Sequence, residues 1–249
     1  MGSAFRSETF NHRCFKRYPA DTRCGSCRSW RLNPIGIGIE KVEGILRKRF
    51  PEASIYKIES GIVTTDKKAK DIMTKFMESR SSILLGTELG LNYLNQKVPY
   101  AAVVSLDGLF ALPDYSISEK IFSILLRLSH KAEKSFLIQT RKPDEKIFDY
   151  FTRGNLLDFY RAEIENRKKF NYPPVKILIK ISLAGKKEEV EKEMHEIKKV
   201  LSDQKPEIYH SFTPKIMGKD CVNLLLRLAP NDWPNETLGH KITGLGLGL

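Results

Sequence analysis

Three cysteines lie close together near the start of the sequence, in the stretch NHRCFKRYPADTRCGSC. Cys24 and Cys27 form a C-x-x-C pair, and Cys14 precedes them. A structural zinc ion takes four sulfur or nitrogen ligands in a tetrahedron, often as two such pairs. The residue that would complete a first pair is Asn11, a poor ligand, but the adjacent His12 offers a nitrogen. The segment predicts either a site for one zinc ion held by these three cysteines and His12, or a remnant that no longer binds metal.

A second group of reactive side chains lies in the segment EKIFSILLRLSHKAEKSFLIQT, residues 119–140. An apolar helical face runs into Arg127, His130, Lys131 and Lys134, and the apolar strand-like stretch SFLIQT follows. Cations between two such elements can bind phosphate. Cations also interact favourably with the end of any helix, whatever the protein does. The pattern alone leaves both interpretations open.

The composition indicates a soluble globular protein with an anionic partner. Of the 249 residues, 41% are hydrophobic and 29% charged, and the formal net charge is +12. A basic excess of this size favours nucleic acid as the partner. The sequence contains neither an apolar run long enough to cross a bilayer nor a signal-peptide core near its start. We therefore expect a cytoplasmic protein without a membrane partner, in which the isolated Cys221 is a small buried apolar residue.

Helix-like and strand-like segments alternate from residue 39 onward, which predicts an α/β layered domain. The predicted strands are ASIYKIES, SSILLGTE, AAVVSLDG and FLIQT. Gly86 and Thr87 end the second of these strands, at the edge where α/β sheets place their ligands. The sequence has no G-x-x-x-x-G-K-[ST] loop, so no cradle for ATP phosphates is visible.

A long helix is predicted from about Asp144 to Phe170, and it ends at the Pro173-Pro174 pair. A strand, a helix and two further strands follow, which predict a small α+β domain. The last thirteen residues, TLGHKITGLGLGL, are Gly-rich, and we expect them to pack against nothing.

Basic residues gather around the end of that long helix, with aromatic residues between them. Cations of this kind can bind backbone phosphates, and exposed rings can stack on bases. The alternative is that the rings belong to the core and the lysines form an ordinary solvated face. The candidate DNA-binding residues are Arg161, Arg167, Lys168, Lys169, Lys176 and Lys180.

The order of these segments resembles the C-terminal half of primosomal protein N′, the family of bacterial replication-restart DNA helicases. The resemblance runs through the C-x-x-C pair, GIGIEKVEGIL, ILLGTE, LPDYSISEKIF, FLIQT and DFYRAEIENRKKFNYPP, over roughly residues 10–234. It implies a zinc-segment remnant in 1–33, a second RecA-like helicase lobe in 34–171 and an α+β DNA-binding domain in 172–249. It also implies a role in replication restart at forked or branched DNA. Other primosome proteins and single-strand-binding proteins are implied as candidate partners.

The helicase motifs depart from the family pattern. Lys131 and Lys134 occupy the places of two arginines that reach the ATP γ-phosphate in the family, and His130 and Glu133 replace two glycines. Lysine keeps the charge but lacks the planar fork that grips phosphate. We therefore expect Gly86, Thr87 and the two lysines to be remnants of a nucleotide site. The chain by itself should not hydrolyse ATP. Two alternatives are a lobe completed by another chain and a protein-docking module.

Overall fold

The computed structural model describes residues 8–10, 17–19, 37–112, 114–216, 219–234 and 236–244 of a mixed α/β protein with small sheets. The chain forms two compact units. The first comprises Met1–Leu112 and Ile117–Phe151, and the second comprises Pro113–Ser116 and Thr152–Leu249. This division falls upstream of the predicted domain boundary between 171 and 172. In the described part of the chain, no helix has both the length and the hydropathy needed to span a bilayer.

The first unit contains a short antiparallel pair and a β-α-β element. Strands β1 (Glu8–Phe10) and β2 (Arg17–Pro19) pair with Glu8 opposite Pro19. Helix α1 (Ile39–Arg49) leads into β3 (Ser54–Ile58), α2 (Asp66–Glu78) and β4 (Ser82–Gly86), and β3 pairs with β4 in parallel. The hydroxyl of Thr65 accepts a hydrogen bond from Lys68 N at 3.3 Å and so caps α2. Helices α1 and α2 and strands β3 and β4 agree with the alternation predicted from the sequence.

A second parallel pair in the same unit differs from the prediction at both strands. After α3 (Glu88–Tyr93), strand β5 (Val98–Val103) pairs with β6 (Ala132–Ile138), and α4 (Ile117–Ser129) connects them. The strand predicted at 101–108 thus begins and ends earlier. Helix α4 ends before His130, so Lys134, which we expected at a helix end, lies in β6. Pairing with β5 extends the strand to these basic residues, and their local composition does not indicate a strand.

The single long helix predicted from Asp144 to Phe170 is two helices, α5 (Lys146–Thr152) and α6 (Leu156–Phe170). Gly154 separates them with φ +64°, a conformation that glycine adopts without steric cost. Asn155 then caps α6 by accepting a hydrogen bond from Asp158 N at 3.2 Å. The apolar periodicity on both sides of Gly154 concealed this interruption.

The rest of the second unit has the predicted β-α-β-β order. Its elements are β7 (Ile177–Gly185), α7 (Lys187–Val200), β8 (Glu207–Ile216) and β9 (Lys219–Leu228). The strands form an antiparallel sheet in the order β7-β9-β8. Cys221 is buried in β9, as predicted. Asn223 is buried beside it and accepts a hydrogen bond from Ser182 Oγ at 2.8 Å, which satisfies a polar group within the apolar core.

The expectation that the Gly-rich end of the chain packs against nothing is wrong. Residues Glu236–Gly244 form helix α8, and Leu238 and Ile242 are buried in the core of the second unit. Two apolar residues four positions apart lie on one helical face, and this is enough to anchor a short helix. The surrounding glycines hid that spacing.

Candidate nucleic-acid interface

Helix α6 ends in a tightly specified turn. Asn171 adopts the left-handed conformation with φ 54°, which asparagine tolerates better than most residues. Asn171 N donates to Lys168 O at 3.3 Å, and Tyr172 N donates to Arg167 O at 2.8 Å. These bonds satisfy carbonyl groups at the helix end and fix the direction in which the chain leaves it.

Arg167 ties this turn to the body of α6. Its Nε donates to Glu163 Oε1 at 3.0 Å, and its Nη1 donates to the carbonyl oxygen of Pro173, also at 3.0 Å. The exposed fraction of the side chain is only 11% for Arg167 and 8% for Glu163. Arg167 was predicted to contact DNA, but a guanidinium so enclosed holds the helix end in place. We do not expect a direct phosphate contact from it.

Aromatic rings lie against this guanidinium. The guanidinium carbon of Arg167 is 5.4 Å from the ring centroid of Tyr115, and Tyr115 stacks on Tyr172 with the centroids 5.4 Å apart. Tyr172 in turn lies 6.0 Å from Phe170. Both Tyr115 and Phe170 are exposed. The rings that the sequence allowed in the core were those of Phe159, Tyr160 and Phe170; Phe159 is buried, while Tyr160 and Phe170 are exposed.

Two exposed cations of α6 have weak surface partners. Lys168 Nζ lies 2.9 Å from Glu165, and Arg161 Nη1 lies 2.9 Å from Asp158. The side-chain amide of Asn155 and then Arg161 hold the pKa of Asp158 below its usual range. Exposed pairs of this kind contribute little, so phosphate can replace their acidic partners at small cost.

Lys169 and two lysines beyond the turn complete the predicted set. Lys169 Nζ lies 5.5 Å from the ring centroid of Phe170, which pairs a cation with an exposed aromatic ring. Lys176 is half-buried just before β7, and its backbone N donates to Tyr172 O at 3.3 Å. Lys180 is exposed on β7. The second unit thus carries all six predicted DNA-binding residues, four of them on one helix.

Sequence reasoning missed two residues that shape this turn. Glu163 lies four residues before Arg167, and the i, i+4 spacing of opposite charges on a helix was a usable signal. Tyr115 comes from a distant part of the chain, and nothing in its local sequence pointed to Arg167.

The four residues predicted as remnants of a nucleotide site lie in the first unit, Gly86 and Thr87 at the end of β4 and Lys131 and Lys134 at the start of β6. Gly86 ends β4 so close to β3 that a Cβ atom there would lie 3.0 Å from Ile58 O, and Thr87 N donates to the same oxygen at 3.2 Å. Lys131 Nζ donates to Asn95 O at 3.0 Å. Lys134 lies within β6.

The predicted zinc ligands Cys14, Cys24, Cys27 and His12 lie outside the residues that the structure describes. Within the described ranges, no three His, Cys, Asp or Glu side chains are grouped closely enough to hold a metal ion.

Curated proteins supply the comparison that bears on identity. The chain is similar to the replication restart protein PriA of Borreliella burgdorferi, with 30% identity over 190 residues, which are 73% of this chain and 28% of that protein. It is also similar to the proteins of the same name in Thermotoga maritima, with 28% identity over 186 residues, and in Bacillus subtilis, with 28% over 183 residues. The matched parts are 73% and 70% of this chain and 25% and 22% of those proteins. No family model matches the chain.

The chain therefore spans about a quarter of the length of these relatives. Four relatives each match about 70% of the residues of this chain, and all four have the same name. The chain belongs to the PriA family of replication restart proteins and corresponds to a partial region of them.

Proposed function

We propose that this chain acts in replication restart by binding forked or branched DNA through the end of helix α6. The observation that carries the proposal is the exposure of Lys168, Lys169 and Phe170 on a helix end that buried Glu163 and largely enclosed Arg167 hold in place. Cations on a fixed frame bind phosphate without a large loss of side-chain and backbone freedom. The names of the relatives support the same role, although the matched region is only about a quarter of those proteins.

The contacts proposed here are to the DNA backbone. A net charge of +12 favours association with any nucleic acid, and phosphates are the same in every sequence. Exposed Phe170 and Tyr160 offer rings for unpaired bases near a fork. This combination supports sequence-tolerant binding with a preference for junctions that carry single-stranded ends.

We further propose that the first unit is a diverged second RecA-like lobe without independent ATPase activity. Its two parallel β-α-β elements fit such a lobe, and Lys131 already donates to a backbone carbonyl. A second lobe contacts only one side of a nucleotide, so hydrolysis should depend on a first lobe more than on the two lysines. ATP hydrolysis measured with and without DNA tests this, and DNA-stimulated turnover that copurifies with the chain would contradict it.

A zinc ion in segment 1–33 remains part of the proposal. Thiolate ligation supplies folding free energy to a short segment with few apolar residues. Protein purified under reducing conditions should carry close to one zinc, and Cys24→Ser should release it. Metal analysis that finds no zinc in the unsubstituted protein would refute the site.

One observation favours docking of a protein as a second candidate function. Leu157, Tyr160 and Ile164 are exposed along α6 at helical spacing. An apolar helical stripe can bind a partner helix or peptide, such as part of another primosome or single-strand-binding protein.

Binding to a forked DNA and to a linear duplex with the same number of phosphates separates the two functions. Fluorescence anisotropy at low and moderate salt should show tighter binding to the fork, and weaker binding of both DNAs as salt increases. Absence of affinity for either DNA at low salt would reject DNA binding. Loss of partner binding in Leu157→Ser without a change in DNA affinity would support docking.

A further inference from the structure

The parallel pair β5–β6 leaves one of its faces open to solvent. Tyr100 is opposite Ser135 and Ala102 is opposite Leu137, so these four residues share a face. Tyr100 is 68% exposed and Leu137 is 64% exposed. These are high values for large apolar side chains in a parallel sheet, which is normally covered on both faces.

The opposite face is packed in the ordinary way. Phe136 contacts Phe151 edge to face with the ring centroids 5.7 Å apart, and Val103 is buried. The sheet is thus anchored on one side, so the open side is a firm surface that presents an exposed tyrosine ring and an exposed leucine.

A bulge in β6 determines which side chain lies next to Tyr100. Val98 is opposite Ala132 but Tyr100 is opposite Ser135, so β6 contains one residue more than β5 over this interval. Bulges redirect side chains and often occur beside functional sites. Here Lys134 Nζ lies 5.9 Å from the ring centroid of Tyr100.

Further positive charge surrounds this end of the sheet. Val98 N donates to Lys131 O at 2.8 Å, which brings Lys131 and Lys97, the residue before β5, to the same end. Together with Lys134 they outnumber the acidic residue of the bulge, Glu133. An apolar protein surface would gain nothing from such a rim, whereas a phosphate backbone would.

We infer that Tyr100 and Lys134 form a stacking site for single-stranded nucleic acid, in which a base lies on the ring and Lys134 contacts an adjoining phosphate. A lysine so weakly engaged with the ring can turn to a phosphate at little cost. Lys134, which the family resemblance assigned to the remnant of an ATP site, thereby serves the nucleic acid. The inference rests on the proposed function for its ligand but places a second contact in the other unit.

The test compares oligothymidylate with an abasic oligonucleotide of the same length, because the two differ only in their bases. The protein should bind oligothymidylate at least about 5-fold more tightly, which is the lower limit expected for one stacked base. Tyr100→Ala should reduce this preference by about 5-fold to 150-fold, the range expected for one stacked base, and keep the affinity for the abasic strand, while Tyr100→Phe should preserve it. Tyr209→Ala, a loss of an exposed tyrosine in the second unit, should also preserve it. Lys134→Gln should reduce the slope of log affinity against log salt concentration by about 0.7 with either oligonucleotide.

An unchanged preference in Tyr100→Ala would overturn the inference and make a protein partner the better occupant of this face. An equal loss in Tyr209→Ala would overturn it as well. Tyr100→Phe keeps the test decisive if the alanine variant folds poorly, because loss of the preference in the phenylalanine variant rules out stacking on the ring. If the unsubstituted protein binds forked DNA but the Tyr100 variants give either of these contradicting results, the stacking site is rejected and the proposed function is not. Absence of binding to any DNA rejects the proposed function too.

Discussion

Arg167 Nε donates a hydrogen bond to Glu163 Oε1 at 3.0 Å, and both side chains are almost completely shielded from water. A charge in such a place is tolerated because its partner and further hydrogen bonds replace water. The second bond, from Arg167 Nη1 to Pro173 O, joins the pair to the turn that follows α6. The pair therefore fixes the helix end that carries Lys168 and Lys169.

Breaking this pair should destabilise the second unit strongly. Glu163→Ala leaves the guanidinium of Arg167 without its buried counter-charge, so the free energy of unfolding should fall by about 3 kcal/mol. Urea unfolding followed by circular dichroism measures this. Glu165→Ala removes an exposed partner of Lys168 and should cost less than about 0.5 kcal/mol. Equal costs in the two variants would show that the Glu163 pair is not the anchor.

Helix α8 should contribute to the stability of the second unit. Leu238→Ala removes a side chain that is buried in the sheet core, so it should cost about 2 to 4 kcal/mol in the free energy of unfolding. His240→Ala changes an exposed position of the same helix and serves as the matched control. A Leu238 variant as stable as the His240 variant would argue that α8 does not pack on the core.

Stability of the first unit should depend on pH through Glu43. Its Oε2 lies 2.9 Å from Lys57 Nζ and its Oε1 lies 2.7 Å from Arg47 Nη2. Hydrogen bonds from Lys57 and then Arg47 lower the pKa of Glu43 below its ordinary value of 4.5. A carboxyl group whose pKa is lowered by folding stabilises the protein at pH values above its ordinary pKa. That stabilisation is lost as the pH falls through the folded-state pKa.

Glu43→Gln should therefore be less stable than the unsubstituted protein at pH 7, and the difference should shrink at pH 3. Lys57→Gln removes the principal partner of Glu43, so its stability difference from the unsubstituted protein should also shrink between pH 7 and pH 3. Urea midpoints at the two pH values give the comparison. A difference that stays constant between pH 7 and pH 3 would contradict the assigned role of Glu43.

Sequence reasoning succeeded where one local pattern decided the structure. The strands around Ile58 and Leu85, helix α2, and the β-α-β-β order of the second unit follow from periodicity and turn residues. The burial of Cys221 followed from the apolar run around it.

It failed where distant contacts or one backbone angle decided. Lys134 lies in a strand because β5 pairs there, and Gly154 breaks a periodicity that looked continuous. Leu238 and Ile242 pack because a core is present to receive them. At the candidate site, the basic cluster was visible in the sequence, but the division between anchoring Arg167 and exposed Lys168 and Lys169 depends on Glu163, Pro173 and Tyr115.

The salt dependence of binding to forked DNA tests the central claim most directly. Lys168→Ala combined with Lys169→Ala should weaken binding to all sequences and reduce the slope of log affinity against log salt. The reduction should be up to about 0.9 for each phosphate that is no longer neutralised, or about 1.8 in total. Lys198→Ala combined with Lys199→Ala removes the same charge from the exposed end of α7 and should leave most of the slope intact. We predict a smaller salt slope for the Lys168/Lys169 variant than for the Lys198/Lys199 variant. Equal slopes in the two double variants would contradict a phosphate contact at the end of α6.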